Sequence, residues 1–321
     1  YLFSTAQSRV VKVNLKSGIE NAGGTVSLEV PKGWVVTPAG IPFELKSIGD
    51  ERAVSFSVSP ATGAIKAAVD TMTAIVTLNG KKLDRGLLNI SYDHIPAITI
   101  YPTSSAKLVS VPLVIKGRNI GYLKGAGDLI PEMLQQIGYT VTMLSDEEIA
   151  NGNLSVYDAI VTGVRAYNTN DRLKFLNDKL LEYVKAGGIL LVQYNTSGND
   201  LVMNNFGPYP FKISRERVTD EQAQVTFLQP DAAVLQTPNK ITPEDFDGWV
   251  QERGLYFLTD IDSNYQKIFA MNDKGEQQKD GSLVVCNYGK GRYVYTGLSF
   301  FRELPAGVPG AYRLFVNLIS K

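Results

Sequence analysis

Apolar and polar positions alternate through residues 9–93. VKVNL, TVSLEV, AVSFSV and TAIVTL each carry apolar side chains at every second position, and Val54, Phe56 and Val58 fall on one face. Successive side chains of a strand point to opposite sides, so this spacing predicts half-buried strands. NAGG, PKGW, TPAG, SIGD and LNGK lie between or beside them, all composed of turn-forming residues. Short strands at even spacing, with no helical stripe, predict an antiparallel β-sandwich over residues 1–98. SYDHIPAITIYP, 91–102, leads out of it with Pro96 and Pro102. It is read as an edge strand running into a linker at 99–106.

The rhythm changes after residue 106. NIGYLKG (119–125), TVTML, DAIVTGV (158–164) and ILLVQ read as buried strands. Between them DLIPEMLQQIGY predicts an amphipathic helix with Leu129, Met133 and Ile137 on one face and Gly138 ending it. DRLKFLNDKLLEYVKAGG predicts a long helix with Leu173, Leu176, Leu180 and Tyr183 at helical spacing. SLVVCNYGKGRYVYTG (282–297) predicts a hairpin turning at Tyr288–Gly291, and GAYRLFVNLIS a closing helix. Strands alternating with helices imply a parallel sheet covered on both faces. Residues 107–321 are therefore expected to form a flavodoxin-like α/β domain, with sites beyond the carboxyl ends of its strands.

Length and composition agree with two domains. The chain has 321 residues, 44% hydrophobic and 20% charged, enough for a sizeable core. With 32 basic and 32 acidic residues and no basic run, nothing recruits nucleic acid. No apolar run is long enough to span a membrane. YLFSTAQSRV lacks the charged start and apolar middle of a leader, and an initiator Met; the expectation is a mature or excised segment. His94 is the only histidine and Cys286 the only cysteine. That excludes an internal disulfide and a zinc site of the usual composition, so neither metal nor cofactor is expected. Gly125 and Gly127 give G-x-G, but Ile130 holds the third glycine position, which argues against a dinucleotide loop. Cys286, inside an apolar strand, reads as a buried inert thiol, and His94 as a packing or hydrogen-bonding residue.

Three strand tips collect polar side chains. TGVRAYNTN offers Arg165, Tyr167 and Asn168; VQYNTSG offers Gln193, Tyr194 and Asn195; GLSFFRELPAG offers Ser299, Arg302 and Glu303. In a parallel sheet these tips share one edge. Amides supply paired donors and acceptors and aromatic rings stack on sugar C–H faces, so such a lining suits hydroxyl-rich ligands. The competing reading is a hydrogen-bond network that rigidifies the loops. DFDGWVQERGLYF, with Trp249, Arg253 and Tyr256, is expected beside this pocket because it mixes aromatic faces with charge. Arg302 and Glu303 are expected in an irregular loop, pointing toward Arg165, Asn168 and Asn195. Ser197 lacks the flanking glycine and nearby histidine of a hydrolase elbow.

The early strand VKVNL, then SLEVPKGWVVTP and AVSFSVSP, resembles the small immunoglobulin-like sandwich domains attached to secreted sugar-active enzymes. IGYLKGAGDLIPEMLQQIGY, the pair IVTGVRAYNT and VQYNTSG, and DFDGWVQERGLYF with YTGLSFFRELPAGVPGAYRLFVNLIS extend the likeness to nearly the whole chain. Together they resemble the carboxyl-terminal region of large secreted bacterial PIG-L/LmbE-type deacetylases. There a zinc-dependent N-acetylsugar deacetylase domain precedes a sandwich and a class I glutamine amidotransferase-like domain. The deacetylase metal motif has no counterpart here, and the amidotransferase cysteine and histidine are absent; Tyr194–Asn195 stand where the cysteine would, like a vacated elbow. The resemblance implies a non-catalytic accessory region, extracellular or periplasmic, whose partners are a glycan and the deacetylase domain of the parent chain. Two alternatives stand beside it: a sugar-active hydrolase using Glu303 as general base with Arg302 or Arg165 holding an anion, and a purely structural or protein-docking module.

Overall fold

A computed structural model of the protein describes residues 1–61 and 66–321. The chain divides into two units, Tyr1–Pro112 and Leu113–Lys321. Among the described residues, no helix is long and apolar enough to cross a membrane.

In the first unit the alternating segments form two sheets. Arg9–Lys16, Glu51–Pro60 and Trp34–Thr37 make a three-stranded antiparallel sheet. Ser105–Ser110, Ala68–Leu78, Ala22–Glu29 and Ile41–Leu45 pair antiparallel in that order, with Leu2–Phe3 added parallel to Ser105–Ser110. Val11, Val54, Phe56 and Val58 from one sheet and Val26, Phe43, Met72 and Leu108 from the other close a single core. The period-two pattern thus resolves into an inward face and an outward face, as strand geometry requires.

The unit boundary corrects the sequence expectation. Ser105–Ser110 belongs to the first unit, paired along its whole length with Ala68–Leu78; the linker was placed at 99–106. The reason is register: six consecutive ladder pairs outweigh the prolines that made this region look like a connection. Ile95–Ile100 folds back on Leu88–Tyr92 as a separate two-stranded hairpin. His94 sits in its turn, exposed, with its ring 5.8 Å from that of Tyr92.

The second unit is mixed α/β. Its central sheet runs in the order Thr140–Met143, Asn119–Leu123, Ala159–Thr162, Ile189–Gln193, Gly291–Thr296, Leu283–Tyr288, Gln266–Lys267. The first five strands are mutually parallel and the last two pairings antiparallel. Ala159–Thr162 and Ile189–Gln193 are buried at every position, as for strands covered on both faces. The hairpin turns with Tyr288 opposite Gly291, as expected. Leu173–Lys185 is helical with Leu173, Leu176, Leu180 and Tyr183 buried, also as expected.

Two helical expectations change. Ile130–Gln136 buries Ile130, Pro131 and Leu134, with Ile137 just beyond, while Leu129 is exposed. Asp128 accepts the Ile130 N–H at the helix start, and the buried face is Ile130, Leu134 and Ile137, one residue on from Leu129 and Met133. Arg302 and Glu303, expected in a loop, lie in the helix Phe300–Ala306 despite Pro305. Gly307, at φ 78°, ends that helix in the left-handed conformation that glycine adopts freely. The next helix is Pro309–Leu318. Between Gln193 and Leu283 the chain builds three short ribbons: Lys212–Ile213 with Leu258–Thr259, Arg217–Val218 with Gly254–Leu255, and Val225–Phe227 with Phe269–Met271.

Candidate functional site at the carboxyl edge of the sheet

Asp128 organises the carboxyl edge. Its Oδ1 accepts from Tyr122 Oη at 2.6 Å and from the Ile130 N–H, and its Oδ2 from the Val164 N–H at 3.1 Å. Gln193 Nε2 donates to Tyr122 Oη and to the Thr162 carbonyl. The turn after Ala159–Thr162 is thereby clamped between the tips on either side. Its backbone is close-packed: a Cβ on Gly125 would stand 2.1 Å from the Val164 carbonyl oxygen. Arg165 closes the turn at φ 59° and leads into the helical turn Ala166–Thr169. A side chain in this region is strained, and such residues concentrate where function demands a fixed geometry.

The sharp strand-to-helix turn therefore lies at Arg165, and the sequence expectation of a vacated elbow at Tyr194–Asn195 is corrected. None of residues 193–198 takes a positive φ. The chain runs on because Asn195 accepts the Tyr167 N–H at 2.8 Å and donates to the Gln193 carbonyl at 3.0 Å. Asn168 grips the backbone of Thr196 through both amide atoms. Tyr167 is fully buried, stacked on Phe206 with its hydroxyl on Asn177 Oδ1. For Tyr167, Asn168 and Asn195 the rigidifying network is what the structure contains; backbone N–H and C=O groups at strand ends need partners, and these amides supply them.

Trp249 and Arg253 are also interior. Trp249 packs on Phe246 and Phe300 with its indole N–H on the Asp245 carbonyl. Arg253 donates to the Ala223 and Phe246 carbonyls and lies over the Phe246 and Trp249 rings. Glu303 is 0% exposed. Its Oε2 accepts the Val250 N–H at 2.9 Å, and its Oε1 has no partner. Burial, opposed by that hydrogen bond and by Arg253 and Arg302, pushes its pKa up to about 8. It points inward to residue 250, away from the expected meeting with Arg165, Asn168 and Asn195, because a mixed pair on one helix sends adjacent side chains to different faces.

Beside these lies an aromatic ledge built on the buried ring of Tyr194. Tyr194 stacks with Tyr256 at 5.9 Å between ring centres and meets Phe301 at 5.2 Å with the planes tilted by 45°. Tyr256 and Phe301 are half-buried. Tyr256 is itself left-handed, at φ 53°. Arg302 lies over Phe301 and pairs with Glu252 at 3.0 Å. Arg165 donates its backbone N–H to the Tyr194 carbonyl and pairs with Asp200 at 3.1 Å. A cavity of about 400 Å³ adjoins the ledge, lined by Arg215, Arg217, Glu252, Leu255 and Tyr256. Burial raises the Tyr194 pKa, against the pull of Arg165 and Arg302. Of the residues singled out in the sequence, Arg165, Tyr194, Tyr256 and Arg302 meet here. Phe301, Glu252, Arg215 and Arg217 were missed. The alternation of Arg215 and Arg217 around Glu216 was the available signal, since it marks one face of an extended segment.

No protein-family model and no curated protein sequence matches the chain. Among solved structures, a cytoplasmic protein of Salmonella typhimurium is similar over 73% of this chain and 94% of its own, at 14% identity and TM-score 0.40. A second cytoplasmic protein, of Salmonella typhimurium LT2, is similar over 63% and 100%, at 15% identity and TM-score 0.41. The β-galactosidase of Bacillus circulans sp. alkalophilus is similar over 61% of this chain and 31% of its own, at 12% identity and TM-score 0.38. At these scores the likenesses assign neither a family nor an activity.

Proposed function

We propose that this chain is a non-catalytic carbohydrate-binding region, and that the half-buried rings of Tyr256 and Phe301, backed by the buried ring of Tyr194, are its binding surface. The single observation that carries the reading is this ledge: aromatic rings in contact, bordered by paired charges and a cavity, on a frame held by the Asp128 and Asn195 networks. Aromatic faces presented on a rigid frame bind the C–H faces of sugars without a further ordering cost. The motifs that resemble PIG-L/LmbE-type deacetylases favour a place beside such a catalytic domain in a larger secreted protein. In that reading the first unit is an immunoglobulin-like spacer and the second a flavodoxin-like, amidotransferase-like domain turned to binding. The hydrolase alternative loses its base, because Glu303 is fully buried with one oxygen committed to the Val250 amide.

The test is binding of the intact chain to an array of bacterial and plant polysaccharides, alongside Tyr256→Ala and Phe301→Ala. The expected result is retention of at least one polysaccharide, weakened ten-fold or more by either substitution, as loss of about 1.4 kcal/mol or more of stacking demands. Melting temperatures report whether either variant has lost its fold. Binding unaffected by both substitutions, or no binding to any polysaccharide, overturns the reading.

A further inference from the structure

Four arginines surround the ledge, and their pairing is uneven. Arg302 is matched by Glu252 and Arg165 by Asp200. Arg215 and Arg217 are exposed and, among the described residues, neither side chain forms an ion pair or hydrogen bond. They line the cavity with Glu252, Leu255 and Tyr256, and the charge of Glu252 is already answered by Arg302. In a chain of zero formal charge, this is a local excess of two unmatched guanidinium groups on one concave wall. Opposite charge placed there would be drawn to both, more strongly than on an open surface because the walls exclude part of the solvent.

The arginines are also held on a stiff ribbon. The Ser214 N–H donates to the Phe257 carbonyl, the Phe257 N–H to the Glu216 carbonyl and the Arg253 N–H to the Val218 carbonyl, each at 3.0 Å. Arg217 lies opposite Leu255 in the ladder. Arg215 lies in the bend between this ladder and the strand Lys212–Ile213, and both arginines line the one cavity. A planar guanidinium fork matches carboxylate and sulfate oxygens with paired hydrogen bonds, which lysine cannot reproduce.

We propose that this cavity takes the anionic group of an acidic glycan, a uronate carboxylate or a sulfate ester, between Arg215 and Arg217, with the sugar ring against Tyr256. The assignment rests on the carbohydrate reading above and names its ligand class. The intact chain is titrated with oligogalacturonate, its methyl ester, a sulfated galactan oligosaccharide, its desulfated form, and linear inorganic polyphosphate. The expected result is binding of one or both acidic oligosaccharides, lost on esterification or desulfation and weakened by added salt. The uronate and sulfate arms then identify which anion is preferred. Arg215→Ala and Arg217→Ala should each weaken that binding about ten-fold, the loss typical of one charge-assisted hydrogen-bonding group. Both side chains lack partners, so the melting temperature should hold. Neutral forms binding as tightly as acidic ones, with the arginine variants unaffected, overturns the acidic assignment and leaves the carbohydrate reading standing. No binding of any of these oligosaccharides overturns the acidic assignment, while the polysaccharide array decides the carbohydrate reading separately. Polyphosphate binding as tightly as the acidic oligosaccharides, and insensitive to Tyr256→Ala, also overturns the assignment, because the wall is then a general polyanion patch.

Discussion

Glu303 sits with one oxygen on the Val250 amide and the other without a partner, in surroundings that disfavour its charge. Its folded pKa of about 8 lies above the 4.5 of a free carboxyl. Between those two values the native state holds a proton that the unfolded state has released, so stability falls as pH rises through that window. The contribution is fully present below about 4.5 and lost by about 8. The expected outcome is a melting temperature that declines from pH 5 to pH 8, and a flatter profile for Glu303→Gln, which keeps an acceptor for Val250 and has no charge to bury. By linkage the difference between the two profiles is at most a few kcal/mol. Parallel profiles for the two proteins would show that the carboxyl is not protonated in the fold. At this scale the sequence announced that Arg302–Glu303 was unusual but could not divide the pair. Burial depends on which helix face meets the Phe246–Trp249–Phe300 cluster, and that is a tertiary fact.

The turn from Ala159–Thr162 into Ala166–Thr169 is where one element imposes geometry on the next. Gly125 lets the neighbouring loop approach the Val164 carbonyl, to which Ala126 donates at 2.8 Å. A methyl group there would overlap backbone that cannot yield, because Val164 is held on its other side by Asp128. Gly125→Ala should therefore destabilise the second unit by about 2 kcal/mol or more, read by chemical denaturation. A change below about 0.5 kcal/mol would mean that the loop can move aside. The strands themselves were legible: VKVNL, AVSFSV and ILLVQ lie within strands, as do NIGYL of NIGYLKG and AIVT of DAIVTGV, because local alternation or a short apolar run suffices. The helix faces were legible where the stripe was long, as in Leu173–Lys185. In the seven-residue helix Ile130–Gln136 two apolar stripes were available, and packing against the rest of the unit decided which was buried.

At the scale of the molecule, each unit has a core drawn from its own residues. The first is closed by residues between Phe3 and Leu108, while a core cluster of the second is drawn from residues between Leu123 and Tyr295. Residues 113–321 produced alone should therefore melt cooperatively with a native-like circular dichroism spectrum. A molten, non-cooperative product would show that the second core is incomplete without the first unit. The sequence by itself determined the two rhythms, the strand identities, the hairpin at Tyr288–Gly291 and the poverty of metal ligands. These follow from side-chain periodicity, turn chemistry and composition, which act over a few residues or none. Only the tertiary structure decided that Ser105–Ser110 returns to the first unit, that Tyr167, Asn168 and Asn195 secure backbone, and that Arg215 and Arg217 come to the ledge of Tyr194, Tyr256 and Phe301. Each depends on partners far away in the chain: a ladder register, an unpaired amide at a neighbouring strand end, or a ribbon folded beside the sheet. Local pattern carries no information about which distant group will arrive to satisfy it.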